Sequence, residues 1–112
     1  MRGKAMYALG RLKTGERNKT ESAYEALLKQ RQMAGEVAWF RFEGVKLRLA
    51  DNTFLTVDFA VMRADGVLEM HEVKGFMQDD ANAKLKVAAA MYPMVFKLVR
   101  KAKGGEWDVT EI

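Results

Sequence analysis

The chain contains no cysteine, which excludes a disulfide framework and any zinc site built on thiolates and fits a reducing compartment. No apolar stretch approaches the ~20 residues needed to cross a bilayer. Tyr7-Ala8-Leu9 follows basic residues but is too short for the core of a signal peptide. Internal repeats and low-complexity tracts are absent, and nothing marks a second domain. A soluble, cytoplasmic protein without a membrane partner is expected. There is one proline, Pro93, and one histidine, His71.

At 112 residues the chain suffices for a single small core. Its basic excess is uneven. Residues 1–19 carry Arg2, Lys4, Arg11, Lys13, Arg17 and Lys19 against Glu16, a net +5, while residues 20–112 sum to −1. A flexible basic arm over 1–19 and one folded domain over 20–112 follow from this split. Such an arm suits salt-dependent phosphate contacts, with Arg11, Lys13, Arg17 and Lys19 as candidates. A solubilising tail accounts for it equally well.

Two apolar runs, Thr56 to Met62 and Val67 to Val73, flank Arg63-Ala64-Asp65-Gly66, the pattern of a β-hairpin around an Asp-Gly pair. With Ala64-Asp65-Gly66 as a three-residue loop, positions summing to 130 lie opposite each other, so Asp58 faces Glu72. Opposed residues share a face with Cβ atoms ~5 Å apart, and Lys74, two residues on, joins them. The neighbours are apolar on both faces, so two carboxylates here need a partner or an ion. Mg²⁺, which takes one or two carboxylates plus waters and phosphate oxygens, is one answer. A plain salt bridge of Lys74 to Glu72 or Asp58 is the other. A two-residue loop would send Glu72 to the opposite face and dissolve the patch.

Upstream, Thr20 or Asn18 caps a helix that runs through Gln32 and closes at Gly35. Its inward stripe reads Ala23, Tyr24, Leu27, Leu28 and Arg31. Glu21 lies on that stripe, where it serves the helix dipole or, if the helix packs on the hairpin face, becomes a third carboxylate. Strands follow at 36–42 and 45–49, with Lys46 and Arg48 on one face of the second. Trp39, Phe40 and Phe42 read as core. Asp79 or Asp80 caps a second helix over 81–92, ended by Pro93. This helix is apolar along Ala83, Val87, Ala88, Ala90 and Met91, with Lys84 and Lys86 open to solvent or to a ligand. A strand at 94–99, a basic turn at 100–105 and an edge strand at 107–112 complete the chain. His71 alternates away from Glu72 and Lys74 and reads as a packed or surface residue. The expected fold class is α/β, a mixed β-sheet flanked by helices, with the strand after the crossover helix lying parallel to its neighbour.

Glu21 on the first helix, Asp58 on one strand and Glu72-Val73-Lys74 on the next, in this order of elements over roughly 20–100, resemble the PD-(D/E)xK nuclease superfamily. These restriction-endonuclease-like enzymes cut phosphodiesters with Mg²⁺. The likeness is strongest to small phage-encoded members, among them a family with runs similar to LRLADNTF (47–54) and HEVKGF (71–76). Phage Holliday-junction resolvases of the endonuclease I kind also place a helix Glu before the Asp and the Glu-x-Lys. Val57 stands where the family pattern has proline, a backbone-setting position that supplies no ligand.

The resemblance implies that Asp58 and Glu72 hold the metal with the Val73 carbonyl. Lys74 then orients or deprotonates the attacking water, and Glu21 holds a second cation or a water bound to it. Mn²⁺ is expected to substitute for Mg²⁺. It implies a metal-dependent DNA endonuclease, a deoxyribonuclease acting on branched or structured DNA as a homodimer, in the host cytoplasm if phage-encoded. A non-catalytic DNA-binding module of the same fold, and an exonuclease or single-strand nuclease, are the alternatives. Lys84, Lys86 and the 100–105 turn are further candidates for DNA contact, or simply solvated faces.

Overall fold

The computed structural model describes residues 17–75 and 83–112. Arg11 and Lys13, the first sixteen residues of the arm, and the cap expected at Asp79 or Asp80 lie outside the described residues. Helix α1 spans Lys19–Met33, and strands β1 to β5 cover Val37–Phe42, Lys46–Ala50, Thr53–Thr56, Phe59–Arg63 and Leu68–Lys74. Helix α2 is Ala83–Met91, followed by β6 at Val95–Lys101 and β7 at Trp107–Glu111.

The expected central hairpin is present with the register drawn from its turn. Phe59 pairs with His71, Val61 with Glu69 and Met62 with Leu68. Gly66 has φ +89°, a conformation its lack of a Cβ makes cheap. Its amide donates to the Arg63 carbonyl at 2.9 Å, closing the three-residue loop.

The sheet differs from a single continuous one. Five strands run in the order β1-β4-β5-β6-β7, while β2 and β3 pair apart as a two-stranded ribbon. The apolar run from Thr56 is cut at Val57-Asp58, where the chain passes from ribbon to sheet. At that break the Val57 amide donates to the Val45 carbonyl at 3.2 Å, and the Glu43 amide to the Asp58 carbonyl at 2.8 Å. The link β5–α2–β6 returns a parallel strand, as expected of a crossover, and β1–β4, β4–β5 and β6–β7 are antiparallel.

Two apolar layers cover the sheet. On one face Tyr24 and Leu28 of α1 pack against Val37, Phe59, Val61, Val73 and Val99. On the other, Leu85 and Ala88 of α2 join Ala60, Met70, Phe96 and Leu98, together with Leu47, Leu49 and Leu55 from the inner side of the ribbon. The inward stripe of α2 is Leu85, Ala88, Ala89 and Tyr92, the i, i+3, i+4, i+7 set. Of the stripe expected from composition only Ala88 faces inward; Ala83, Val87, Ala90 and Met91 turn outward, Val87 44% and Met91 52% exposed.

Trp39 is not core. A bulge between Val37 and Trp39 shifts the phase of β1. Val37, Phe40 and Phe42 therefore face α1, while Trp39 is 42% exposed. The basic segment at the root of the arm belongs to the fold. Arg17 grips both Glu25 oxygens, at 2.6 and 2.9 Å, with its guanidinium 4.5 Å from the Phe42 ring centroid.

Candidate active site

Asn18 is the cap of α1. Its side-chain oxygen accepts from the Glu21 amide at 2.8 Å, and the Glu21 carboxylate accepts from the Asn18 amide at 2.9 Å. This reciprocal box satisfies two orphan donors of the first turn and fixes Glu21 at the N-terminal end of the helix. The Asn18-x-x-Glu21 spacing makes the box legible in the sequence.

Asp58 and Glu72 meet at the end of the central hairpin. The Val73 amide donates to Asp58 Oδ2 at 2.8 Å, and the Asp58 amide to Glu72 Oε1 at 3.4 Å. Each carboxylate is thus tethered by the backbone of the other's strand, consistent with the expected facing of 58 and 72. Glu72 is buried and Asp58 half-buried. Burial, with the Glu72 charge beside it, pushes Asp58 up to about 8, against the lowering pull of the Val73 amide and Lys74. Burial raises Glu72 as well, opposed by Lys74. Each acid thus resists ionisation beside the other.

One cleft of about 490 Å³ collects these groups: Asn18, Thr20 and Glu21 from the helix start, Asp58 from the ribbon-to-sheet break, and Glu72, Val73, Lys74 and Gly75 from the end of β5. Glu21 arrives differently from the expected route. Helix α1 packs on the face carrying Phe59 and Val73, opposite Glu72, and Glu21 reaches the cleft from the helix terminus at the sheet's end. Among the described residues no three His, Asp or Glu side chains are gathered closely enough to hold one ion by themselves.

The candidate DNA-contact residues scatter. Arg17 is held by Glu25, and Lys19 is exposed at the start of α1. Lys84 and Lys86 are exposed on α2, with Lys84 Nζ donating to the Phe54 carbonyl at 3.0 Å.

A second polar cluster was not expected from the sequence. On the α1 face of β5, His71 lies between Tyr24, at 2.7 Å from Nδ1, and Glu69, at 2.8 Å from Nε2. Lys97 Nζ donates to the other Glu69 oxygen at 2.9 Å, and Arg63 stands 3.5 Å from it. Burial disfavours a charged Glu69, but hydrogen bonds from His71 and Lys97 outweigh it and hold the carboxyl at about 2. Burial lowers His71 and raises the Tyr24 phenol. A neutral imidazole beside an ionised Glu69 carries its proton on Nε2, so Nδ1 accepts from the Tyr24 hydroxyl. The signal was Glu69 and His71 at i and i+2, which puts both on the face opposite Glu72 and Lys74.

Family models, curated proteins and solved structures offer no match to this chain.

Proposed function

We propose that this protein is a metal-dependent DNA endonuclease of the PD-(D/E)xK type. One observation carries the reading. Asp58 and Glu72 are locked side by side, against their mutual repulsion, in a cleft that also holds Lys74 and Glu21. Such a pair is unfavourable without a cation and suits one that takes two carboxylates and completes its shell with waters and phosphate oxygens. Asp58 and Glu72 would hold Mg²⁺, or Mn²⁺ in its place, with the Val73 carbonyl. When bound, the cation supplies neutralisation of charge on the phosphate and a lowered pKa for water.

The chain's own groups do the rest. Asp58 is oriented by the Val73 amide and Glu72 by the Asp58 amide, so neither must reorganise during the reaction. Lys74, on the same cleft wall, positions the attacking water or donates to the phosphate oxygen that gains charge. Glu21, anchored by Asn18, holds a further water at the cleft rim. Branched DNA as substrate, action as a homodimer, a cytoplasmic setting and a restriction-endonuclease-like fold belong to the same proposal and rest on the family resemblance and the chain's small size.

Incubation of supercoiled and cruciform plasmid with Mg²⁺ tests the proposal. Nicking that EDTA and Asp58→Ala both abolish is expected; cutting that survives Asp58→Ala refutes it. The rival reading, a DNA-binding module of this fold without turnover, draws on one observation: a Glu21 oxygen is already taken by the Asn18 amide. Metal-independent binding with no cleavage of any substrate would favour that reading.

A further inference from the structure

The β2–β3 ribbon has an apolar side and a basic one. Leu47, Leu49 and Leu55 are buried against α2, which leaves Lys46, Arg48, Phe54 and Thr56 pointing outward. Lys46 stands opposite Thr56, and Arg48 opposite Phe54, so their side chains share that outer face. Phe54 is 39% exposed there, with Lys46 Nζ 4.6 Å from its ring centroid. The ring therefore carries one cation over its face, with Arg48 as its cross-strand neighbour.

The ribbon and the helix it packs on are basic. Residues 45–57 and 83–92 hold Lys46, Arg48, Lys84 and Lys86 against a single acid, Asp51, although residues 20–112 as a whole are slightly acidic. Asp51 sits at the ribbon tip, 4.0 Å from Arg48 and itself 92% exposed, a separation and exposure that neutralise little. The ribbon also leads to the cleft. Asp58 is two residues beyond Thr56, a span of at most about 7 Å, and Thr56 is the partner of Lys46.

We propose that Lys46, Arg48 and Phe54 form a DNA-binding face that holds the backbone of the strand running on from the cleft, the two cations on successive phosphates and the ring against a sugar or base. Cations that neutralise phosphates give a salt-dependent affinity, and an aromatic ring among them adds sequence-tolerant stacking. The continuation into the cleft rests on the nuclease reading above. The binding face does not require cleavage.

The test measures binding of fluorescein-labelled single-stranded, duplex and four-way-junction DNA in EDTA, where no cutting occurs, across a salt series. Lys46→Ala/Arg48→Ala should weaken binding roughly tenfold at low salt and reduce the slope of log Kd against log salt by about two, near 0.9 for each phosphate that is no longer neutralised. Lys46→Arg/Arg48→Lys, which keeps both charges, should keep the slope. Phe54→Ala should weaken single-strand binding at least fivefold with the slope unchanged. Wild-type protein that fails to bind any of the three probes, or binding whose strength and slope survive Lys46→Ala/Arg48→Ala, overturns the proposal. A protein that binds through this face yet never cuts with Mg²⁺ would retain it and refute the nuclease reading alone.

Discussion

Tyr24 of α1 and His71 of β5, 47 positions apart in the chain, share a buried hydrogen bond of 2.7 Å. It fastens the helix that carries Glu21 to the strand that carries Glu72 and Lys74, yet none of its atoms lies in the cleft lining.

Removing that hydroxyl should therefore cost stability. Tyr24→Phe leaves His71 Nδ1 buried without its donor, a loss of about 1–3 kcal/mol. A thermal melt should show a drop of several degrees, given roughly 4–8 °C per kcal/mol for a domain near this size. An unchanged midpoint would mean that the bond is replaced by water or is not made.

Glu69 should matter as well. It is buried and receives His71, Lys97 and Arg63, so Glu69→Ala leaves the buried His71 Nε2 without its acceptor and should destabilise by about 1–3 kcal/mol, while Lys97 and Arg63, partly open to solvent, are rehydrated. Its carboxyl is held at about 2 against an ordinary 4.5. A depressed acid contributes stability above its unfolded pKa and loses it as pH falls through the folded value. Acid titration of wild type and Glu69→Gln should thus diverge in steepness between those two values; parallel curves would refute the assignment.

Asp58 has the opposite sign. Its pKa rises from 3.8 to about 8, so its own contribution to metal-free stability is full below the lower value and is lost as pH climbs through the upper one. Melts in EDTA at about pH 5, 7 and 9 should fall progressively, and Asp58→Asn should flatten the series. Because a cation competes with the proton for the same carboxylates, Mg²⁺ should raise the melting midpoint more at about pH 9 than at about pH 6. A Mg²⁺ effect independent of pH would place the ion elsewhere.

Lys74 separates chemistry from folding. Lys74→Ala should reduce plasmid nicking by about 100-fold or more, in the range of a lost charge-stabilising donor, while shifting the metal-free midpoint by little more than a degree. Retained nicking would leave Lys74 as no more than a nearby positive charge for Asp58 and Glu72, with which it makes no direct ion pair.

The hairpin register was legible because a glycine in a three-residue loop leaves little choice of pairing, and Asp58 and Glu72 were placed by that arithmetic alone. The helix cap was open between Thr20 and Asn18; the structure takes Asn18, with Thr20 already inside the helix. What could not be read were the partners of Lys46–Ala50. Alternating polarity says that one side of a strand is buried, and Leu47 and Leu49 satisfy this against a helix as well as within a larger sheet. Trp39 was misplaced because the bulge beside it inverts the alternation. In α2, Val87 and Met91 are as apolar as Leu85, and the choice of inward face was made by the ribbon and sheet it packs on rather than by composition. Glu21 was placed near the cleft, but its approach from the helix terminus depends on a packing angle that no spacing in the chain encodes.

The passage between the two sheets at Val57-Asp58 also sets where the chain tolerates added length. Extra residues at the Asp51-Asn52 tip would only extend the ribbon into solvent, since Asn52 already sits in the exposed turn with φ +53°. A single residue inserted between Asp58 and Phe59 would instead change the phase of the acid relative to the hairpin and carry it away from Glu72. Evolution or engineering can therefore lengthen the outer loop freely, while the two-residue crossing is fixed in size by the carboxylate it delivers.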